Sequence, residues 1–303
     1  NKIFNFKIWG IVMLPFCFGC QFILQKESQP LVFSVMGCGP YNEAAKVALK
    51  KYVNLESKEE SDFVAHLGDL FAGTYAKEMI TYQDKGEKYY REMAGILSQN
   101  HRQPTYVLPG DNETIDRKDP EVGFQFWHTY FDNFHHKVKP SWVTQQQKGR
   151  KENFSFVTRD VVVIGIHKVG GKVMEGPYWE QTLGDAQAWI ANNLREHSDT
   201  KSAIILSHAG LKGGVFKERL FESVKAYQKP VIYIHADGHK WFEKKYDEVT
   251  NFYHIQLDLI YSKNIEQGPF YPPVQFTITG DPKQPFRYDR RLHDKEWHDI
   301  KVE

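Results

Sequence analysis

Acidic, amide and imidazole side chains follow four short, largely apolar runs in the sequence. The runs span residues 63–67, 105–109, 204–207 and 231–234, and the polar residues after them include Asp69, Asp111, Asn112, His208, His235, Asp237 and His239. A continuous apolar run is typical of a buried strand, which can deliver polar side chains to the rim of a sheet. Carboxylate, amide and imidazole donors suit manganese, iron, zinc or magnesium rather than a cysteine-based structural zinc. The pattern therefore predicts a metal site at the strand ends.

Each strand end also has an ordinary interpretation. Glycine and aspartate are common turn residues, so the single pair Gly68-Asp69 carries little information by itself. Four apolar runs that all end in aspartate, asparagine or histidine, without the alternation of a surface strand, are hard to reach by chance. The prediction of a metal site therefore depends on the whole set.

The order and spacing of these residues resemble the calcineurin-like metallophosphoesterases over residues 30–290. The motifs of that superfamily read D-x-H, G-D, G-N-H-[DE], a strand-end histidine and G-H-x-H. Residues 68–69 match the second motif and residues 110–113 stand at the third. His208 stands at the fourth motif and residues 235–239 stand at the fifth.

Residues 37–41, Gly-Cys-Gly-Pro-Tyr, stand where the first motif belongs. They resemble the G-D-x-P-Y start of a bacterial secreted or lipoprotein branch whose later motifs read G-D-N-E and H-x-D-x-H, and residues 285–287 resemble its tail. The resemblance implies an α/β fold, a four-layer α/β/β/α sandwich of two mixed sheets. It also implies metal-dependent hydrolysis of a small-molecule phosphoester, by a phosphatase or a phosphodiesterase.

The resemblance implies one or two divalent ions of manganese, iron or zinc, which would activate hydroxide as the nucleophile and neutralise phosphoryl charge. Asp69 would bridge the two ions. The ligands of the second ion would be Asp111 or Asn112, His208, and His235 or Asp237. The first ion would keep Asp69 and His239, with Cys38 in place of the aspartate of the motif.

Three positions depart from the family pattern. Cys38 and Pro40 replace the aspartate and histidine of the first motif, so that site is short of ligands. Cys38 could be a thiolate ligand suited to zinc or iron, or a buried cysteine that only fills space. Asn112 stands where the family has a histidine that helps to protonate the leaving group, which an amide cannot do. We expect Asp111 and Asn112 at the catalytic position, with a mononuclear site and impaired catalysis as alternatives.

Other side chains could take over proton transfer. The available histidines are His66, His135, His136 and His254. For the pair at 135–136 we favour a helix surface beside an apolar face. Glu113 either orients a ligand through a hydrogen bond or is an acid at a helix start. The basic, glycine-rich stretch 168–172 could face a phosphate, although an ordinary turn is the stronger interpretation.

A second functional class stays open because of Cys38, Pro40 and Asn112. A catalytically degenerate member of the family would bind a ligand, or serve as a structural surface lipoprotein, without turnover. Such a scaffold would need no metal at all.

The composition limits the domain organisation and the partners that the chain can have. The 303 residues are 41% hydrophobic and 15% aromatic, which suffices for a large core in one domain over residues 26–303. The 39 basic and 38 acidic residues give a net charge of +1, so we expect no binding of nucleic acid. We expect membrane contact only through an N-terminal lipid or anchor.

The N-terminal residues 1–25 have the pattern of a signal peptide. Lys2 and Lys7 precede the apolar residues 8–19, and Cys20 follows a glycine as in a bacterial lipobox. The alternatives are lipid attachment at Cys20, cleavage without a lipid, and an uncleaved anchor. Each predicts export to the periplasm or the cell surface.

Apolar periodicity predicts alternating strands and helices early in the chain and hairpins later. Strands are expected over residues 31–36, 63–67, 105–108, 154–157, 161–166, 202–207, 231–235, 253–259 and 274–279. Helices are expected over residues 42–55, 77–97, 121–134, 182–197 and 217–227.

Overall fold

The computed structural model describes the chain in seven segments. They are residues 29–73, 83–99, 102–114, 120–170, 176–211, 214–261 and 270–301. The predicted signal sequence, the proposed lipid site Cys20 and the beginning of the helix expected at 77–97 lie outside these residues. None of the described helices combines the length and apolar character needed to cross a bilayer.

Two mixed sheets form the centre of the molecule. The strands are β1 Leu31–Met36, β2 Phe63–His66, β3 Thr105–Val107, β4 Gln145–Gln147, β5 Arg150–Thr158, β6 Val161–Ile166, β7 Ser202–Ser207, β8 Val231–His235, β9 Phe242–Tyr246, β10 Val249–Gln256, β11 Val274–Ile278 and β12 Phe286–Asp289. One sheet has the order β12-β11-β1-β2-β3, and the other has the order β4-β5-β6-β7-β8-β10-β9.

Helices cover the outer faces of both sheets. They are α1 Glu43–Glu56, α2 Gln83–Leu97, α3 Pro120–Phe131, α4 Pro177–Glu196, α5 Val215–Tyr227 and α6 Lys295–His298, with a 3₁₀ turn at Phe134–Lys137. One apolar cluster lies between the sheets, a second joins the first sheet to α1, α2 and α3, and a third joins the second sheet to α4 and α5. The predicted four-layer α/β/β/α sandwich is confirmed.

Strands β7 and β8 show why the sequence folds this way. Every residue of both strands is buried, because parallel neighbours and helices enclose them on all sides. Side chains alternate along the strand, so Ile204 and Leu206 face the other sheet whereas Ala203 and Ile205 face the helices. The same alternation points the next residue, His208, toward the other sheet.

The sequence located the central strands and the edge strand β3, and it missed three other edge strands. Strands β1, β6, β7 and β8 have the expected bounds, whereas β4, β9 and β12 were not expected. The missed strands are polar and largely exposed edge strands, in which burial imposes little hydrophobic pattern. The strand expected at 253–259 instead runs from Val249 to Gln256.

Two helix boundaries also differ from expectation. The helix expected over 182–197 begins at Pro177, a residue whose fixed φ suits the first helical turn. The helix expected over 121–134 ends at Phe131, because Asn133 adopts a left-handed conformation with φ 55° and the chain continues as a 3₁₀ turn.

A buried ion pair fastens the C-terminal segment to α1. Arg291 donates to a Glu56 carboxylate oxygen at the end of α1 and, at 3.0 Å, to the carbonyl of Pro273. Its guanidinium also lies 4.0 Å from the ring centroid of Trp297. Both charged side chains are almost fully buried, so each depends on the other for compensation.

Replacing Arg291 by methionine should lower the free energy of unfolding by about 3 kcal/mol, because the buried Glu56 carboxylate would lose its partner. The double variant Glu56→Gln with Arg291→Met should recover part of this loss, since neither charge remains. Urea unfolding followed by tryptophan fluorescence measures both. An equal or larger loss in the double variant would contradict this account.

Candidate metal centre

Five strand ends bring the predicted ligands to one side of the two sheets. Cys38 follows β1, Asp69 follows β2 and Asp111 follows β3, all in the first sheet. His208 follows β7, and Asp237 and His239 follow β8, in the second sheet. The polar groups therefore meet where the carboxyl ends of parallel strands from both sheets lie together.

His208 is the centre of this arrangement. Its Nδ1 donates a hydrogen bond of 2.8 Å to the carbonyl of Leu67, which directs Nε2 away from the backbone. Nε2 lies 3.5 Å from Asp69 Oδ1 and 3.5 Å from Asp111 Oδ1. It is buried and has no hydrogen-bond partner among the described residues. An imidazole oriented by a backbone carbonyl is a typical metal-ligand geometry.

Two overlapping groups of donor atoms contain His208. Cys38, Asp69 and His208 form one group, and Asp111, His208 and Asp237 form the other, with donor atoms in each group within 4.8 Å of one another. Each group therefore offers three ligands to one ion. Because His208 belongs to both groups, these five residues form one centre rather than two separate sites.

The electrostatics of the centre favour a bound cation. Burial raises the pKa of the Asp69 carboxyl, because an ionised oxygen there loses its hydration. Burial also opposes ionisation of Asp111, but its contact with His208 outweighs this and holds its pKa well below the ordinary value. Burial lowers the pKa of His208, and the carboxylates of Asp69 and Asp111 overcome this and raise it to about 10. A divalent cation would replace that proton and compensate the same carboxylates.

Glu113 holds the two acidic loops together. One carboxylate oxygen accepts the backbone N–H groups of Asp69 at 2.9 Å and Gly110 at 2.5 Å, and the other accepts that of Leu70 at 2.6 Å. The two loops approach closely at Gly68, where an added Cβ would lie only 2.4 Å from the backbone nitrogen of Gly110. Glu113 lies in a turn and positions Asp69 through the backbone.

Asn112 also supports Asp69. Its backbone N–H donates to Asp69 Oδ1 at 3.1 Å, and its side-chain amide donates to the carbonyl of Phe71 at 2.8 Å. The residue is buried, so these two hydrogen bonds fix both its backbone and its side chain. The structure therefore gives Asn112 a positioning role beside the centre.

Tyr41 occupies the region of the degenerate first motif. Its hydroxyl donates to Asp69 Oδ2 at 2.5 Å and lies 3.3 Å from His239 Nε2. Burial and the charge of Asp69 raise the pKa of the Cys38 thiol well above its ordinary value. The Tyr41 hydroxyl thus contacts both Asp69 and His239, two of the ligands predicted for the first ion. Its only sequence signal was its place in the Gly-Cys-Gly-Pro-Tyr segment.

His235 lies apart from the donor groups. The structure places Asp237, and not His235, with Asp111 and His208. The His235 ring packs against His254, with centroids 4.8 Å apart, and burial lowers the pKa of His235 to about 2. Of the two ligands considered at this strand end, the geometry favours Asp237.

The remaining histidines have mainly structural surroundings. His66 Nδ1 accepts from Gly68 N–H at 3.2 Å, so its Nε2 donates to the carbonyl of Gly39 at 2.9 Å. His135 is buried and stacks on Tyr106, whereas His136 is exposed. The helix surface favoured for this pair therefore holds only for His136.

His167 was missed by sequence reasoning. It follows β6, which pairs with the strand that precedes His208, and it is fully buried. Its Nδ1 lies 3.9 Å from a Glu152 carboxylate oxygen, and burial lowers its pKa to about 3. The sequence did contain a signal for this residue, because His167 directly follows the apolar run 161–166.

Comparison with known proteins supports the assignment of the fold. No curated protein matches the chain. A dimetal phosphatase from Danio rerio has a TM-score of 0.58 at 10% identity, over 86% of this chain and 99% of that one. GAP50, described as the anchor in the inner membrane complex of Plasmodium, has a TM-score of 0.50 at 11% identity, over 86% and 88% of the two chains.

The family assignment comes from the sequence match. The family model for calcineurin-like phosphoesterases matches residues 38–241, which is more than half of the chain and spans every ligand position described above. The two-sheet architecture and the strand-end ligands agree with that match. The chain therefore belongs to the calcineurin-like phosphoesterase family.

Proposed function

We propose that this protein hydrolyses phosphoesters of small molecules with a divalent metal ion held by Asp69, Asp111, His208 and Asp237. The observation that carries the proposal is the buried Nε2 of His208, which has no hydrogen-bond partner within the described part of the chain and lies 3.5 Å from each of two carboxylates. Leaving that nitrogen and those carboxylates without a cation is costly in a buried site.

The residues of the chain prepare this site for the reaction. When bound, a divalent ion supplies a Lewis acid for the phosphoryl group and lowers the pKa of water. Leu67 fixes the orientation of His208, and Glu113 fixes the backbone of Asp69. The Asn112 amide is too weak an acid to transfer a proton, so proton transfer to the leaving group falls to another group or to solvent.

We propose that the principal site binds one ion. The Asp111, His208 and Asp237 group has oxygen and nitrogen ligands suited to manganese, iron or zinc. The Tyr41 hydroxyl instead satisfies Asp69 and contacts His239 at the first motif, where the Cys38 thiol holds its proton tightly. A second ion would have to displace that hydroxyl contact and the thiol proton.

A second candidate function is ligand binding or scaffolding without turnover. The contact of Tyr41 with Asp69 and His239 favours it, because it closes part of the first site. GAP50 of Plasmodium has the same fold and is described as an anchor, so the fold alone does not decide between the two functions.

We further propose that the protein is exported. The charged start, the apolar residues 8–19 and Cys20 support a signal peptide or lipoprotein signal over residues 1–25, and the domain would then act in the periplasm or at the cell surface. Its membrane contact would be the N-terminal lipid or anchor.

Replacing His208 by alanine should lower kcat/KM by at least about 100-fold, because the central metal ligand is lost. Initial rates with p-nitrophenyl phosphate and bis-p-nitrophenyl phosphate, after loading with manganese, zinc or iron(II), give the measurement. His136→Ala, which alters an exposed histidine, should keep wild-type rates. Full activity of His208→Ala would reject the proposed site.

Replacing Cys38 by aspartate should increase the metal content from one ion per chain to two, because a carboxylate beside Asp69 restores a hard oxygen ligand. Cys38→Ser should remain at one ion. Inductively coupled plasma mass spectrometry after equilibration with manganese gives the stoichiometry. Two ions in the wild type would contradict the mononuclear proposal, and one ion in Cys38→Asp would contradict the explanation that Cys38 prevents binding of the second ion.

A further inference from the structure

A cavity of about 220 Å³ opens directly beside the metal centre. His235, His254, Phe242 and Asp237 contribute to its wall, and we refer to it as the histidine cavity. Asp237 also belongs to the His208-centred donor group. One carboxylate residue therefore joins the wall of the cavity to the metal centre.

The two histidines of the cavity have hydrogen-bonding capacity that the described residues do not use. His235 is 2% exposed, and neither of its ring nitrogens has a hydrogen-bond partner among the described residues. His254 is 3% exposed and its Nε2 likewise has none, whereas its Nδ1 is 2.9 Å from the hydroxyl of Tyr246. Buried polar atoms are normally paired, so unpaired nitrogens on two residues that line the same cavity indicate a ligand that pairs with them.

Close packing holds the His235 ring in place. An added Cβ at Gly210 would lie 2.5 Å from Cε1 of His235, so only glycine allows the loop to approach this ring. Phe242 contacts both rings by its edge, with centroids 5.6 Å from His235 and 5.1 Å from His254. The imidazoles are therefore fixed by their neighbours before any ligand binds, which lowers the entropic cost of binding.

We propose that the histidine cavity binds the leaving group of the phosphoester and selects leaving groups that carry hydrogen-bond donors and acceptors. This inference rests on the proposed phosphoesterase function. A polar alcohol can pair with the unpaired nitrogens of His235 and His254, while its ester oxygen stays near Asp237 and the metal centre. An apolar leaving group would bury the same nitrogens without partners, and a site built to form hydrogen bonds discriminates strongly against such groups.

The kinetic test compares polar and apolar leaving groups in the wild type and in His254→Phe, a change that keeps an aromatic ring and removes Nε2. The polar substrates are adenosine 5′-phosphate, myo-inositol 1-phosphate and glycerol 1-phosphate, and the apolar substrate is phenyl phosphate. For the best polar substrate, kcat/KM should fall about tenfold in the variant, the effect of about one hydrogen bond. For phenyl phosphate it should change by less than about twofold.

His135→Phe is the matched control. His135 is also a buried histidine with an unpaired ring nitrogen, but it does not line the histidine cavity. The control should leave the ratio between polar and apolar substrates unchanged. An equal loss on both classes of substrate in His254→Phe, or no loss on either, would overturn the proposal.

A binding experiment separates this proposal from the proposed function. Ligand-observed NMR detects adenosine, myo-inositol or glycerol on the protein and needs no turnover. If no ester is hydrolysed but one of these alcohols binds the wild type and not His254→Phe, the cavity stands as a ligand site and the phosphoesterase function fails. If esters are hydrolysed but none of the alcohols binds selectively, the assignment of the cavity fails.

Discussion

The hydrogen bond from His208 Nδ1 to the carbonyl of Leu67 joins the two sheets at the candidate metal centre. Leu67 follows β2 in one sheet and His208 follows β7 in the other, 141 residues apart. The metal centre therefore exists only when both sheets are packed in their native relation. The apolar cluster between the sheets, which includes Leu67 and Leu206, fixes that relation.

A second constraint is the backbone conformation of the loops that hold the ligands. Asp69 adopts φ 58° and His239 adopts φ 63°, conformations that non-glycine residues enter at a cost. Glu113 offsets the cost at Asp69 by accepting three backbone N–H groups, two of them from the Asp69 loop. The fold thus holds Asp69 in a strained but defined position, as expected for a functional site and unnecessary for a simple turn.

The sequence contained most of this centre because burial dictates its strands. Residues 203–206 of β7 are apolar on both faces of the strand, so the position of the strand and the histidine that follows it were both predictable. The choice between His235 and Asp237 as the metal ligand was not predictable. Alternation along β8 places His235 on the same side as Tyr233, away from the other sheet, whereas Asp237 follows Ala236 at the bend of the chain. That difference depends on where the strand stops, which hydrophobic pattern locates poorly.

The first motif shows a second limit of sequence reasoning. Its lost aspartate and histidine were visible as Cys38 and Pro40, but the hydroxyl that contacts Asp69 and His239 comes from Tyr41. The edge strands β4, β9 and β12 were not predicted for a different reason, since exposed strands need no apolar face. In both cases the deciding contacts are tertiary, so a single sequence does not display them.

The most direct test of the account is a crystal structure of the protein grown with manganese and measured for anomalous scattering. We expect one strong anomalous peak within about 2.0–2.3 Å of His208 Nε2, with oxygen ligands from Asp69, Asp111 and Asp237. A fully loaded crystal with no peak at His208, or with a peak held by His235 instead of Asp237, would contradict it.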